Sequence, residues 1–198
     1  MSNIRQLASA FALTLLSVAA HAATTTYTSS ASFLAQVAPG AYTENFNAAV
    51  DPGGLFSSGG FSYAISSPGE LYFSGDFVGT NQIDSALTVS FTGGNVFAVG
   101  ANFFATNISD EFQAVSLTLT LSDGTVTSFT PTSLSDSYRG FVSNLAITSL
   151  TISAPGQSLY AGLDNLTVGA VSPVPEPASW ALMGLGVAGL LATRRRTA

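Results

Sequence analysis

Val115, Leu117, Leu119 and Leu121 alternate with Ser116, Thr118, Thr120 and Ser122, and this period of two restricts the fold more than any other feature. Successive side chains of a strand point to opposite faces, so the aliphatics share one face and the hydroxyls the other, as in a sheet buried on one side. Asp123-Gly124 follows at once. That dipeptide favours a type I′ hairpin turn, which predicts pairing with residues 125–129. Gly93-Gly94 predicts a second hairpin between its own neighbours.

The same punctuation recurs along the chain. Strands are expected over 42–48, 61–66, 70–74, 86–92, 95–104, 115–122, 125–129, 141–145, 147–153 and 163–168. Residues 30–37 suit one or two helical turns, capped by Ser30 or Ser32 with Phe33, Leu34 and Val37 on one face, until Pro39-Gly40 breaks them. No long amphipathic helix is available to cover a sheet, so the sheets must cover each other. The expected fold class is all-β, a β-sandwich with jelly-roll-like connections. A β-helix is disfavoured because no short repeat is visible. The Phe-rich stretch 91–112 is assigned to the core, and the glycine-rich stretch 51–60 to a surface loop rather than a phosphate cradle, since no Lys follows it.

Composition narrows the function classes. Only 8% of the 198 residues are charged, and there is no cysteine, so disulfides cannot support the domain. Lysine is absent and Arg139 is the one basic side chain between residues 23 and 171. A surface so acidic repels phosphate backbones, which argues against nucleic acid as a partner.

Both ends differ from the middle. Arg5, an apolar run from Leu7 to Ala20, and small residues at Ala20 and Ala22 have the order of a secretory signal peptide cleaved after Ala22. At the other end Pro173, Pro175 and Pro177 prevent a regular helix and favour an extended stretch. Residues 178–192 then carry no charge, and Arg194, Arg195 and Arg196 follow. A helix of that length spans about 22 Å, short of a ~30 Å hydrocarbon core. The expected division is therefore a signal peptide (1–22), a sandwich domain (23–171), a Pro-rich linker (172–177), a short hydrophobic transmembrane helix (178–193) and a basic cytoplasmic tail (194–198). The arginines should remain cytoplasmic, with the domain outside.

The residues Val174-Pro175-Glu176-Pro177, the apolar segment containing Trp180, and the Arg194–Arg196 triplet together resemble a PEP-CTERM sorting domain. The resemblance covers about the last 25 residues. It implies an exported precursor anchored at the inner membrane, handled by the secretion machinery and then by an exosortase, a multi-pass membrane cysteine protease acting near Pro175–Pro177. It further implies a final place at the cell surface or in the matrix of a bacterium that makes exopolysaccharide. A permanent C-terminal anchor without processing is the alternative.

Chemistry is sparse in what lies between. The sole histidine, His21, belongs to the signal segment, so no His-based triad or ordinary zinc site is available to the domain. Glu70, Asp76, Asp110 and Glu111 fall in turns, where a glycosidase would need two carboxylates facing across a cleft. Glu44 shares parity with Tyr42 and Phe46, and Asp164 with Leu166 and Val168. Parity thus turns both carboxylates toward the apolar face, where Ca²⁺ would satisfy them with help from Asn45 and Asn165. Residues 162–168 are also similar to the last strand of galactose-binding-like sandwiches, in which a terminal-strand Asp joins an early Glu at a structural calcium. Asn107-Ile108-Ser109 and Asn165-Leu166-Thr167 match the short glycosylation pattern, which has little weight in bacterial export.

Two readings of function follow. One is a non-enzymatic surface or matrix protein held near exopolysaccharide. The other is a carbohydrate-binding module with a structural calcium, its stacking residues drawn from Tyr27, Tyr42, Tyr63, Tyr72, Tyr138 and Tyr160. An enzyme using paired carboxylates is the third class.

Overall fold

The computed structural model describes residues 23–48, 54–93 and 95–171, together with Gly184 and Gly186. The expected signal peptide, and the sorting residues Val174, Pro175, Glu176, Pro177, Arg194, Arg195 and Arg196, lie outside the described residues. The transmembrane helix expected over 178–193 is withdrawn: no helix among the described residues is long and apolar enough to cross a membrane.

In chain order the elements are β1 (Thr24–Tyr27), α1 (Ser30–Leu34), β2 (Tyr42–Glu44), β3 (Leu55–Ser58), β4 (Phe61–Ser66), β5 (Leu71–Phe73), β6 (Val78–Thr80) and β7 (Leu87–Phe91). After these come β8 (Ala98–Thr106), β9 (Phe112–Gln113), β10 (Leu117–Leu121), β11 (Val126–Phe129), β12 (Tyr138–Ser143), β13 (Ser149–Ser153) and β14 (Tyr160–Gly169). Among the described residues they form two antiparallel sheets packed as a sandwich. One has eight strands, in the order β1-β12-β8-β14-β6-β5, with β2 beside β14 and β9 beside β8. The other has six, in the order β11-β10-β13-β7-β4-β3.

The alternation of β10 does what period two requires. Leu117, Leu119 and Leu121 are buried while Thr118 and Thr120 face away. Facing it, β8 turns Val99, Ala101, Phe103 and Ala105 inward. Full burial of each large aliphatic or aromatic side chain contributes about 1.5–3 kcal/mol, and with no disulfide these contacts hold the sheets together.

Several local expectations change. The pair Asp123-Gly124 does join β10 to β11, but through a longer turn. Gly124 N–H donates to Leu121 O at 3.1 Å, and only Gly124 has positive φ (+88°), which is a turn followed by a left-handed residue rather than type I′. The two-residue turn with both φ positive is at Gly59-Gly60 (+61° and +82°), closing β3 onto β4 with Ser58 opposite Phe61. Part of the expected glycine-rich loop is therefore a hairpin. The hairpin expected at Gly93-Gly94 does not form, because β7 and β8 belong to different sheets and the chain crosses between layers there.

Helix α1 is shorter than expected and is capped by Ser29, whose Oγ accepts from Ser32 N–H at 3.2 Å. Phe33 is fully buried whereas Leu34 is 46% exposed. The Phe33 ring rests on the outer face of the eight-stranded sheet, over glycines that leave room for it. A Cβ on Gly140 would stand 2.5 Å from Phe33 Cδ2, and one on Gly100 would stand 3.1 Å from Phe33 Cε1. Val37, past the helix end, bridges to Val171 and fastens the last described residue of the sandwich.

Candidate functional site: an aromatic groove on the outer face

Asn102, Phe104 and Thr106 of β8 alternate with the core residues and so stand on the outer face of the larger sheet. Beside them on β14 are Tyr160, Gly162 and Asp164, and on β6 is Gly79. The two glycines leave a flat floor across which the Phe77 ring lies. A Cβ at Gly79 would meet Phe77 Cε2 at 3.4 Å, and one at Gly162 would meet Phe77 Cδ2 at 3.4 Å and Phe104 Cε2 at 3.0 Å. Phe77 meets Phe104 edge-on at 5.2 Å and Tyr72 at 5.9 Å between ring centres.

Two adjoining compartments open around these rings, of about 80 and 160 Å³, and share Phe77, Thr106 and Asp110 in their walls. Ile108 (83% exposed) and Leu134 (52% exposed) stand at the margins. Asp76, Asp110 and Asp164 supply the charge.

Each carboxylate is placed by local backbone chemistry. Ser74 Oγ accepts from the N–H groups of Asp76 (3.1 Å) and Phe77 (3.0 Å), shaping the β5–β6 turn. Asn107 Oδ1 accepts from Ser109 N–H and Glu111 N–H (2.9 and 3.1 Å), which brings Asp110 round at φ +62°. Tyr72 Oη then donates to Asp110 Oδ2 at 2.5 Å, joining the two turns; this bond raises the Tyr72 phenol above its ordinary value.

Asp164 owes its position to a β-bulge. Asp164 pairs with Asn102, but the next register pair is Thr167 with Gly100, so β14 holds one extra residue. Asn165 takes a left-handed conformation at φ +53° and is exposed, while Leu166 returns to the core. The bulge inverts parity, so Asp164 faces outward while Leu166 and Val168 face inward. Its Oδ1 accepts from Asn165 N–H (2.6 Å) and its Oδ2 from Asn165 Nδ2 (2.7 Å). Asn165 Nδ2 also reaches Asn102 Oδ1 at 3.3 Å. Partial burial holds the Asp164 carboxyl above its usual range, the Asn165 N–H opposes that, and the nearby Asp76 charge adds to it.

Glu44 behaves as its parity predicts. It pairs with Leu166, and the outward member of β2 is Thr43, whose Oγ1 meets Thr167 Oγ1 at 2.8 Å. Glu44 is on the inner side at the sandwich edge. There Tyr42 Oη donates to its Oε2 and Phe46 N–H to its Oε1 at 3.0 Å. Burial, with the Glu44 hydrogen bond and charge, pushes the Tyr42 phenol up to about 12. Asn45 Oδ1 accepts from Asn47 N–H at 3.2 Å. The fold thus brings Asp164 and Asn165 together, and sets Glu44 on the other side of the same sheet, with Asn45 exposed just past the end of β2. Among the described residues no group of three or more His, Cys, Asp or Glu side chains is placed to hold a metal ion.

Of the turn acids, Asp76 and Asp110 meet in the groove, while Glu111 accepts from Asn107 Nδ2 at 2.7 Å and the Glu70 carbonyl receives Asn81 N–H at 3.2 Å. Of the tyrosines, Tyr72 and Tyr160 line the groove, Tyr63 and Tyr138 are buried, Tyr42 packs at the inner edge and Tyr27 packs on Phe33. Phe77, Gly79, Phe104 and Gly162 carry no motif. Their common location arises only when β6, β8 and β14 lie side by side.

The fold and the groove define a β-sandwich with an open, acid-rimmed aromatic surface. Residues 173–196 match a family signature described as a PEP-CTERM protein-sorting motif. That motif is a sorting signal without catalytic chemistry, and its presence supports export, handling by an exosortase and an eventual place at the cell surface. No curated protein and no solved structure matches the chain.

Proposed function

We propose that this protein is a non-enzymatic surface or matrix component, processed by an exosortase and retained beside exopolysaccharide. The observation that carries the reading is the sorting motif at 173–196, which begins two residues after Val171, the end of the sandwich. In this reading residues 1–22 are removed on export, 23–171 are the delivered domain, and Val174–Pro177 with Arg194–Arg196 are what the sorting machinery handles. Comparing the mass of the surface form from cells with and without an exosortase tests it. A shorter product is expected only with the enzyme and not from Glu176→Ala; identical masses in all three cases would overturn it.

A narrower reading, a carbohydrate-binding module, is favoured by the groove. Tyr72, Phe77 and Tyr160 offer ring surface beside hydrogen-bonding carboxylates and amides, the combination that concave ligand sites use for orientation. A glycan array probed with the full chain, with EDTA or with added Ca²⁺, is the measurement. Binding that Tyr72→Ala removes supports the module; silence under both conditions leaves a matrix role without direct sugar contact. The calcium in this reading rests on Glu44 and Asp164, which face opposite sides of one sheet, so the ion enters as a variable of the test.

A further inference from the structure

We infer that the groove selects an amino-bearing glycan, a chain of hexosamine units whose nitrogens are free and protonated, over neutral, N-acetylated or uronate-bearing chains. The inference rests on the carbohydrate-binding reading and adds the charge of the ligand. Asp76, Asp110 and Asp164 all line the larger compartment, and none has a cationic partner there. The one basic side chain of residues 23–171 is Arg139, and it is engaged elsewhere. Its guanidinium lies 3.8 Å from the Phe129 ring centre and Nη1 donates to the carbonyls of Asp136 (3.0 Å) and Tyr138 (2.6 Å).

Uronates and sulfates would meet only repulsion in such a groove, because like charges brought together without countercharge are penalised. An ammonium between Asp76 and Asp164 supplies the missing charge, and a charge-assisted hydrogen bond is about twice as strong as a neutral one. Asp164 is already oriented for it by its two bonds from Asn165. The ring floor suits a sugar face: Phe77 spans both compartments, so adjoining units of one chain can occupy them. That favours an oligomer over a single sugar.

Calorimetry on the full-length chain, with the tetramers of glucosamine, N-acetylglucosamine, glucose and galacturonate as probes, tests the inference. The glucosamine tetramer is expected to bind about tenfold more tightly than the N-acetylated or glucose tetramers, and galacturonate not at all. Replacing Asp76 and Asp164 together by Asn should remove that preference without lowering the melting temperature. Replacing Asp84 and Asp136, which lie outside the groove, removes the same charge and should leave the preference intact. Equal affinity for the amino and N-acetyl tetramers overturns the charge selection while leaving a glycan site. Binding of no tetramer overturns that site as well. An equal loss in the control pair overturns the groove in favour of general attraction to an acidic chain. Ca²⁺ binding that depends on Asp76 and Asp164 in a chain indifferent to glucosamine overturns it in favour of a cation site.

Discussion

Asp164 and Leu166 stand two positions apart on β14 and face opposite sides of the sheet, Asp164 into the outer groove and Leu166 into the core. The residue between them, Asn165, makes this possible by adopting φ +53°. Asn tolerates that conformation because its short polar side chain bonds locally, here to Asp164 Oδ2. A β-branched residue does not. Asn165→Val is expected to destabilise the fold by roughly 1–2 kcal/mol, whereas Asn165→Gly should keep the bulge at much smaller cost. Thermal melts of the two variants check this, and equal losses would contradict it.

Acidity should act on Asp164 in the opposite sense to an ordinary paired carboxylate. Its pKa is raised in the folded state, so the folded chain holds that proton more tightly than the unfolded chain. Below the ordinary carboxylate range both states are protonated and there is no penalty; as pH rises through the raised value, ionisation costs stability. Asp164→Asn should therefore raise the melting temperature at neutral pH and leave it nearly unchanged at pH about 3, below the usual Asp range. Melting curves across that interval are the check.

Thr24 Oγ1 donates to Asp123 Oδ2 at 2.5 Å, tying β1 of one sheet to the β10–β11 turn of the other. Burial alone would raise the Asp123 pKa, but bonds from Thr24 and Thr125 outweigh it and leave it lowered. That sign makes the contribution present at neutral pH and lost as pH falls through the depressed value. Thr24→Val is expected to cost about 1 kcal/mol at pH 7 and progressively less in acid. A pH-independent loss would assign the effect to packing instead.

Gly140→Ala should disturb α1 more than any change on its exposed face. The added methyl carbon would overlap the Phe33 ring, which is fully buried, and overpacking of this kind costs about 1–3 kcal/mol. Hydrogen exchange should show the loss concentrated in α1, β1 and β12, with the β10–β13 pairing still protected.

Strands β4, β10 and β13 were legible because their apolar residues alternate without interruption and each is buried on one face only. The short strands β1, β6 and β9 were not. The pairing of β1 with β12 and of β6 with β14 joins residues far apart along the chain, β9 is only two residues long, and their own residues carry little apolar pattern: Thr24–Tyr27 is mostly hydroxyl, and Val78–Thr80 is centred on a glycine. The Phe-rich stretch was divided in the same way. Phe91 and Phe103 enter the core, while Phe104 turns outward to the groove.

What the sequence determined by itself was the route and the class of fold, because both are written in contiguous residues: the motif at 173–196 and the period-two runs of the sandwich. The placement of the acids was decided only by tertiary structure. Counting parity along 164–168 carries Asp164 inward with Leu166, and it fails because one extra residue, accommodated against β8, reverses every face before it. Likewise Phe77 acquires its place only where Gly79 and Gly162 lie side by side. No local pattern records that contact, since the two glycines become neighbours through the pairing of β6 with β14.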